Sequence, residues 1–244
     1  MFAELEFTSH IIPPSHHPRK SDFSIESFQA APFKFALQKD GELTNISLAT
    51  LGAATESDVS TLLADAGRRL YTVVGKNVGV TLAKNKAICQ LVANGAVDAG
   101  IVGLDQVYES GLMEKLVVAR ELRESGEWKI VLATSKESQF NSISDVLVIA
   151  TQYPVIAGAF FTFINHNPTI IRTQGSTEVM PLLQYAGRNI DGIVDIRVSG
   201  NTLEANGMEA WEPAITTVFP VLITNQEVLS HSQKRKYLQQ FIQG

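Results

Sequence analysis

The chain has 244 residues, 45% of them hydrophobic, and a formal net charge of −5, enough apolar material for one large domain or two packed lobes. Its acidic balance, with neither lysine nor arginine gathered into a long stripe, argues against a nucleic-acid or membrane-surface protein. Cys89 is the only cysteine, which excludes an intramolecular disulfide, and its neighbours Ile88 and Leu91 favour a buried structural thiol in a reducing compartment.

Residues 1–32 contain the stretch IIPPSHHPRKSD and are expected to form an extension, partly ordered at best, that serves as a lid or interface arm. Glu4 and Glu6 stand where a secretory signal would carry a basic start, and no apolar run is long enough to cross a bilayer, so a cytoplasmic protein is expected. His16 and His17, adjacent and without further ligands, read as solvated rather than metal-binding. From Phe33 onward short β-rich runs appear in the order FKFAL, RLYTVV, VGVTLA, DAGIVG, KIVLATS, VLVIATQ, TIIRTQ, GIVDIRV and VFPVLIT. Helices of two or three turns are predicted between them at residues 46–54, 86–94, 153–165 and 178–187, and Ser176-Thr177-Glu178 is a plausible helix entry. The tail QKRKYLQQFIQG reads as a terminal amphipathic helix. Alternation of this kind predicts an α/β fold with largely parallel sheets.

The most informative stretch is VDIRVSGNTLEANG, residues 194–207. An apolar strand runs into a Ser-Gly-Asn-Thr turn and then into a helix-forming segment. Gly200 permits a tight turn, and Ser199, Asn201 and Thr202 offer donors where a helix presents free N–H groups, an arrangement suited to phosphate. Asp191 and Asp195 lie just upstream; carboxylates beside a phosphate cradle suit sugar hydroxyls or magnesium. Taken alone, the turn is equally an ordinary strand-to-helix connection, and the Gly-Lys-Ser/Thr ending of a Walker loop is absent. Four further loops follow strands: Lys39 and Gly41, Gly103 and Asp105, residues 151–154, and residues 175–178. Ligands of open α/β sheets bind beyond the carboxyl ends of strands, where such loops converge.

Taken in order, these pieces resemble the ATP phosphoribosyltransferase family in its short form. The resemblance rests on ALQKDGEL (36–43), AGRRL (66–70), NGAVDAGIVGLD (94–105), IATQYP (149–154), QGSTEVMPLL (174–183) and DGIVDIRVSGNTLEANGMEAWE (191–212). It implies transfer of phosphoribose from phosphoribosyl pyrophosphate to an adenine ring nitrogen of ATP, with release of pyrophosphate, in the first step of histidine biosynthesis. The implied fold is α/β, with two periplasmic-binding-protein-like lobes and a cleft between them. Residues 33–127 plus 215–244 would form lobe I and residues 128–214 lobe II. The resemblance further implies Mg2+ as cofactor. As partners it implies a second copy of the chain, or a larger complex with a regulatory subunit related to histidyl-tRNA synthetase.

On the same footing, Asp191, Asp195, Ser199, Gly200, Asn201, Thr202 and Leu203 would bind phosphoribosyl pyrophosphate. Asp98, Gly103, Asp105, Thr151, Tyr153, Gly175 and Ser176 would bind the nucleotide. Lys39, Arg68, Arg69 and Glu178 would be catalytic, and Asp195 with Glu178 would form the magnesium shell. Three departures alter charge: Glu42, Gly158 and Ala159 stand where the family usually carries basic residues, while Lys84 replaces Arg and keeps the charge without the bidentate fork. They leave open two alternatives, a less charged acceptor and a catalytically silent nucleotide-binding relative.

Overall fold

The computed structural model describes residues 25–243 apart from 40, 42, 60–69, 76, 186, 199 and 200, with residues 185 and 201 described by backbone alone. Helix α1 (Ile25–Ala30) leads into β1 (Phe33–Gln38), α2 (Leu43–Thr55), β2 (Tyr71–Val74), β3 (Val78–Ala83), α3 (Asn85–Ala93), β4 (Ala99–Gly103), α4 (Leu104–Glu109) and β5 (Val117–Glu121). A second run comprises β6 (Trp128–Ser135), β7 (Val148–Thr151), α5 (Pro154–Phe163), β8 (Thr169–Arg172), β9 (Gln184–Tyr185), β10 (Arg188–Asn189), β11 (Gly192–Arg197), α6 (Asn201–Ala205), β12 (Met208–Ala210) and β13 (Thr216–Val218). The chain then returns through β14 (Pro220–Thr224), α7 (Gln226–Ser230) and α8 (Ser232–Gln243).

Two sheets result. The first has the order β2-β3-β1-β4-β14-β5 and the second β12-β6-β11-β7-β8, with β13 beside β6. Both are mixed, where largely parallel sheets were expected. Strands β3, β1 and β4 are mutually parallel, but β2 joins β3 through residues 75–77, a connection too short for anything but an antiparallel pair. β14 runs antiparallel to both β4 and β5. In the second sheet β11, β7 and β8 are parallel, and β6 opposes β11. β13 still pairs with β6, so the chain leaves the second sheet only after Val218.

Alternation along β1 explains how the tail is held. Phe33, Phe35 and Leu37 face one core, whereas Ala36 faces another with Ile88 and Val92 of α3. Phe241 of α8 stacks on Phe35 at 4.9 Å and on Phe33 at 5.4 Å between ring centroids. The amphipathic tail therefore covers the first sheet. Gly100 in β4 lets α3 lie close, since a Cβ there would come within 2.6 Å of Ile88 and 2.9 Å of the Ala36 carbonyl.

The helices expected at 46–54, 86–94 and 153–165 appear as α2, α3 and α5. The helix expected at 178–187 does not form. A 3-10 turn spans Thr177–Leu182 and the β9–β10 hairpin follows, because Pro181 supplies no N–H for a continuing α-helix. Part of the extension, expected to be partly ordered at best, is built into the fold: Phe28 of α1 lies against Tyr71, with ring centroids 5.7 Å apart. His16 and His17 lie outside the described residues, and no helix among those described is long and apolar enough to cross a membrane.

Candidate functional site

Strands β11, β7 and β8 run in one direction, so the loops that leave them meet at one edge of the second sheet. There Gln152, Ser176, Glu178, Asp195, Arg197 and Thr202 line a cavity of about 220 Å3, with Leu203 and Ile196 in its wall. Asp195 is only 4% exposed. Its Oδ1 accepts the Ile196 N–H at 2.7 Å, and the side chains of Thr177 and Gln152 also hydrogen-bond to it. Burial pushes its carboxyl up to about 6, and the nearby charge of Glu178 adds to the rise. Gly175 at φ 121° and Ser176 at φ 50° make the turn that brings Glu178 to this cavity. A serine in the left-handed region costs about 1–2 kcal/mol.

Parallel strands β1, β3 and β4 likewise end at one edge of the first sheet, and the two edges meet. Gln38, Asn85, Gly103 and Asp105 from the first half share a cavity of about 190 Å3 with Trp128, Tyr153 and Ile196 from the second. Ile196 borders both cavities, so they adjoin. Asp105 is 6% exposed; its Oδ2 accepts from Gln106 Nε2 at 2.6 Å, and burial raises its pKa. The Tyr153 hydroxyl is pushed well above its usual range by burial, then by the charges of Asp105, Asp195 and Glu109. Asn85 Oδ1 is buried without a hydrogen-bond partner among the described residues.

The expected site residues divide between these cavities and elsewhere. Asp195, Glu178, Ser176, Thr202 and Leu203 share the first, with Gly175 beside Ser176 in the turn. Gly103, Asp105 and Tyr153 share the second. Thr151 lies beneath them, fully buried, its hydroxyl donating to the Val194 carbonyl at 2.6 Å and accepting the Tyr153 N–H at 2.8 Å. Lys39 is exposed and lines neither cavity. Arg68, Arg69, Ser199, Gly200 and the side chain of Asn201 lie outside the described residues, as does Glu42.

Two of the expected site residues stand at the opposite ends of their strands. Asp98 precedes β4 rather than following it, about 16 Å of extended chain from Gly103. Its carboxylate accepts the Lys34 N–H at 2.6 Å and pairs with Lys234 Nζ at 2.8 Å, fastening β1 and α8 rather than meeting a nucleotide. Asp191 likewise precedes β11, and its Oδ2 accepts the N–H groups of Leu147 and Val148 at 2.8 and 2.9 Å. That carboxylate is committed to the far edge of the second sheet.

The sequence reading passed over Gln152, Thr177, Asn85 and Trp128 as site residues. Gln152 and Thr177 stand inside loops already singled out, so their position was the available signal. Trp128 begins a strand, but β6 runs antiparallel to β11, which brings its start to the cleft edge. Gly158 and Ala159, two of the departures in charge, sit on α5 away from both cavities. Gly158 faces Ile170 and Ala159 lines an apolar groove with Phe160 and Phe163.

Comparison with known proteins adds to this geometry. The family model described as HisG, ATP phosphoribosyltransferase, matches residues 84–244, well over half of the chain. The chain is 30% identical over 180 residues to the ATP phosphoribosyltransferase of Methanocaldococcus jannaschii, covering 72% of itself and 60% of that protein. It is 31% identical over 179 residues to that of Clostridium kluyveri, covering 72% of itself and 76% of the relative. It spans about half to three fifths of the length of several curated relatives it matches. Among solved structures it is similar to a chain of the ATP phosphoribosyl transferase (HisG:HisZ) complex from Thermotoga maritima, with a TM-score of 0.66, 21% identity and coverage of 86% of this chain and 98% of that one. The ligand-binding core of GluR0 with L-glutamate matches at a TM-score of 0.51, with 14% identity over 88% of this chain and 92% of that one. These structural likenesses establish a two-lobed α/β fold.

Proposed function

The chain belongs to the ATP phosphoribosyltransferase family, and from that premise we propose that it transfers phosphoribose from phosphoribosyl pyrophosphate to ATP, yielding phosphoribosyl-ATP and pyrophosphate. The observation that carries this reading is the pair of carboxylates, Asp195 and Glu178, in a cavity that also contains Thr202 of α6 and adjoins an aromatic interlobe cavity through Ile196. Purified protein given both substrates and magnesium is expected to form phosphoribosyl-ATP, followed by absorbance or isotope transfer. Nucleotide binding without product would favour the silent relative, and pyrophosphate release only with another base would favour a different acceptor.

The sugar donor would lie along the end of β11. Residues 199–202 would hold its 5-phosphate through the free N–H groups that begin α6 and the Thr202 hydroxyl. Asp195 and Glu178 would take the ribose hydroxyls, placing two carboxylates near the anomeric carbon. A ring nitrogen of the adenine attacks that carbon with its lone pair, and the bond to pyrophosphate breaks with its electrons leaving on the departing oxygen. Positive character on the sugar is stabilised by the carboxylates, of which Asp195 is already fixed by Thr177, Gln152 and the Ile196 N–H. Positioning and electrostatics supply the acceleration, with no nucleophilic side chain required.

Asp195 and Glu178 also fit magnesium. No set of three or more His, Cys, Asp or Glu side chains that could hold a metal alone occurs among the described residues. A sparse oxygen set suits this ion, which keeps waters and leans on substrate phosphates. Bound with pyrophosphate, magnesium would neutralise charge on the leaving group. Lys39, Arg68 and Arg69 remain proposed contributors to that neutralisation. Arg197 borders the cavity but is paired with Glu212 at 2.7 Å.

The adenine would enter the interlobe cavity between Trp128 and Tyr153, which Asn85 also lines. Assembly into a homodimer, or into a larger complex with a histidyl-tRNA-synthetase-like subunit, is supported by exposed apolar residues on α5. Val155 is 51% exposed and Phe163 88%, more than an unpartnered helix usually shows water. A cytoplasmic site of action fits a biosynthetic reaction that consumes ATP.

A further inference from the structure

Helix α4 lies between the two halves of the molecule. Leu104 packs against apolar cores on both sides, and Asp105 and Gln106 line the interlobe cavity. Its last residue, Glu109, reaches across to the start of α5: Oε1 accepts the Ile156 N–H at 2.8 Å and Oε2 accepts the Val155 N–H at 3.1 Å. The first N–H groups of a helix have no partner within it, and Pro154 at the first position has none to offer. Tyr153, the residue that would ordinarily cap this helix, makes no capping bond from its side chain; that side chain faces the cavity instead. Capping of α5 has passed to a carboxylate of the opposite lobe. Both oxygens are used, and they meet the helix end whose dipole favours negative charge.

We propose that Glu109 is a positioning residue, its carboxylate gripping the start of α5 so that the two lobes stand at the angle where the base cavity and the carboxylate cavity adjoin. Without that grip the substrate-free protein spends more time open, and each substrate binds only the fraction already closed. The groups that touch substrate are unchanged once the cleft is filled. Loss of Glu109 therefore raises the Kd of ATP and of phosphoribosyl pyrophosphate, each measured alone, by one common factor and spares kcat. Damage to a single subsite would instead weaken the binding of one substrate alone.

The test compares Glu109→Ala and Glu109→Gln with the wild-type full chain, the glutamine retaining one acceptor oxygen and shape. Without any substrate, hydrogen exchange at the amides of Val155 and Ile156 is expected to quicken roughly tenfold in the alanine variant and less in the glutamine variant. X-ray scattering is expected to show a larger radius of gyration in the same order. By titration calorimetry with each substrate alone, both Kd values are expected to rise together by about tenfold, while kcat with both substrates stays within about twofold. Unchanged exchange and scattering, a rise in Kd for one substrate alone, or a fall in kcat alone would each overturn the proposal. The kinetic arm rests on the reaction proposed above, whereas exchange and scattering do not. An inactive wild-type protein would therefore defeat that reaction and leave the scattering measurement to decide the role of Glu109.

Discussion

The Thr151 hydroxyl bridges two strands' ends, donating to the Val194 carbonyl at 2.6 Å while accepting the Tyr153 N–H at 2.8 Å. It thereby joins the exit of β7 to β11 and fixes where the chain turns into α5. Thr151→Val keeps the shape but leaves both backbone groups without their partner in a fully buried place. The expected loss is about 1–3 kcal/mol, read from urea unfolding. Thr151→Ser should lose much less, because the hydroxyl remains.

Asp195 makes stability and binding respond to pH in opposite directions. Its folded pKa of about 6 stands above the ordinary 3.8, so between those values the folded chain keeps a proton that the unfolded chain has lost. The resulting stability is fully present below about pH 4 and is lost as pH rises through about 6. Asp195→Asn should therefore gain stability relative to wild type at pH 8 compared with pH 4, by an order of 2–3 kcal/mol in thermal or denaturant unfolding. Binding of phosphoribosyl pyrophosphate, which uses the carboxylate, should strengthen in the wild type as pH rises through about 6. Titration calorimetry at pH 5 and 7 would show it.

Glu178 is partly buried and shares its cavity with Asp195. Glu178→Gln removes one of the two negative charges there, so the Asp195 carboxyl should titrate lower than in wild type. If Glu178 also holds ribose or magnesium, kcat/KM for phosphoribosyl pyrophosphate should fall roughly ten- to a hundredfold, a loss of one charge-assisted contact. The magnesium concentration for half-maximal rate should rise with it. Steady-state kinetics over a magnesium series checks both.

Phe241 fills the space over Phe33 and Phe35 and is fully buried. Phe241→Ala should cost about 3–5 kcal/mol, the usual range for deleting a buried aromatic ring. The cost should appear as a lower unfolding midpoint, and Phe241→Leu should recover a substantial part of it.

The alternation of apolar runs with helical stretches placed most strands correctly, because a buried strand must be apolar whatever its partner. Missed β5, reading VVARE with no fully buried residue, shows the converse: a half-exposed edge strand carries little pattern. For the site, residues that follow a strand, such as Asp105, Ser176 and Thr202, do line the two cavities, though Ser176, expected beside the nucleotide, shares the cavity of Asp195 and Glu178. Asp98 and Asp191 fall before their strands, and strand polarity alone sends them to the opposite edge, a signal that was present in the sequence. The contributions of Trp128 and Glu109 were not legible. One depends on β6 running against β11, the other on a carboxylate meeting a helix more than forty residues later, and neither pairing leaves a local mark.

Strand β14 is wedged between β4 and β5, although the whole second sheet separates it from them in the chain. During synthesis, the second lobe is thus available in one uninterrupted piece before its neighbour can close. Until residues 220–224 emerge, β4 and β5 each keep an unmatched backbone edge, open to wrong partners. The lobe that begins first is obliged to finish last.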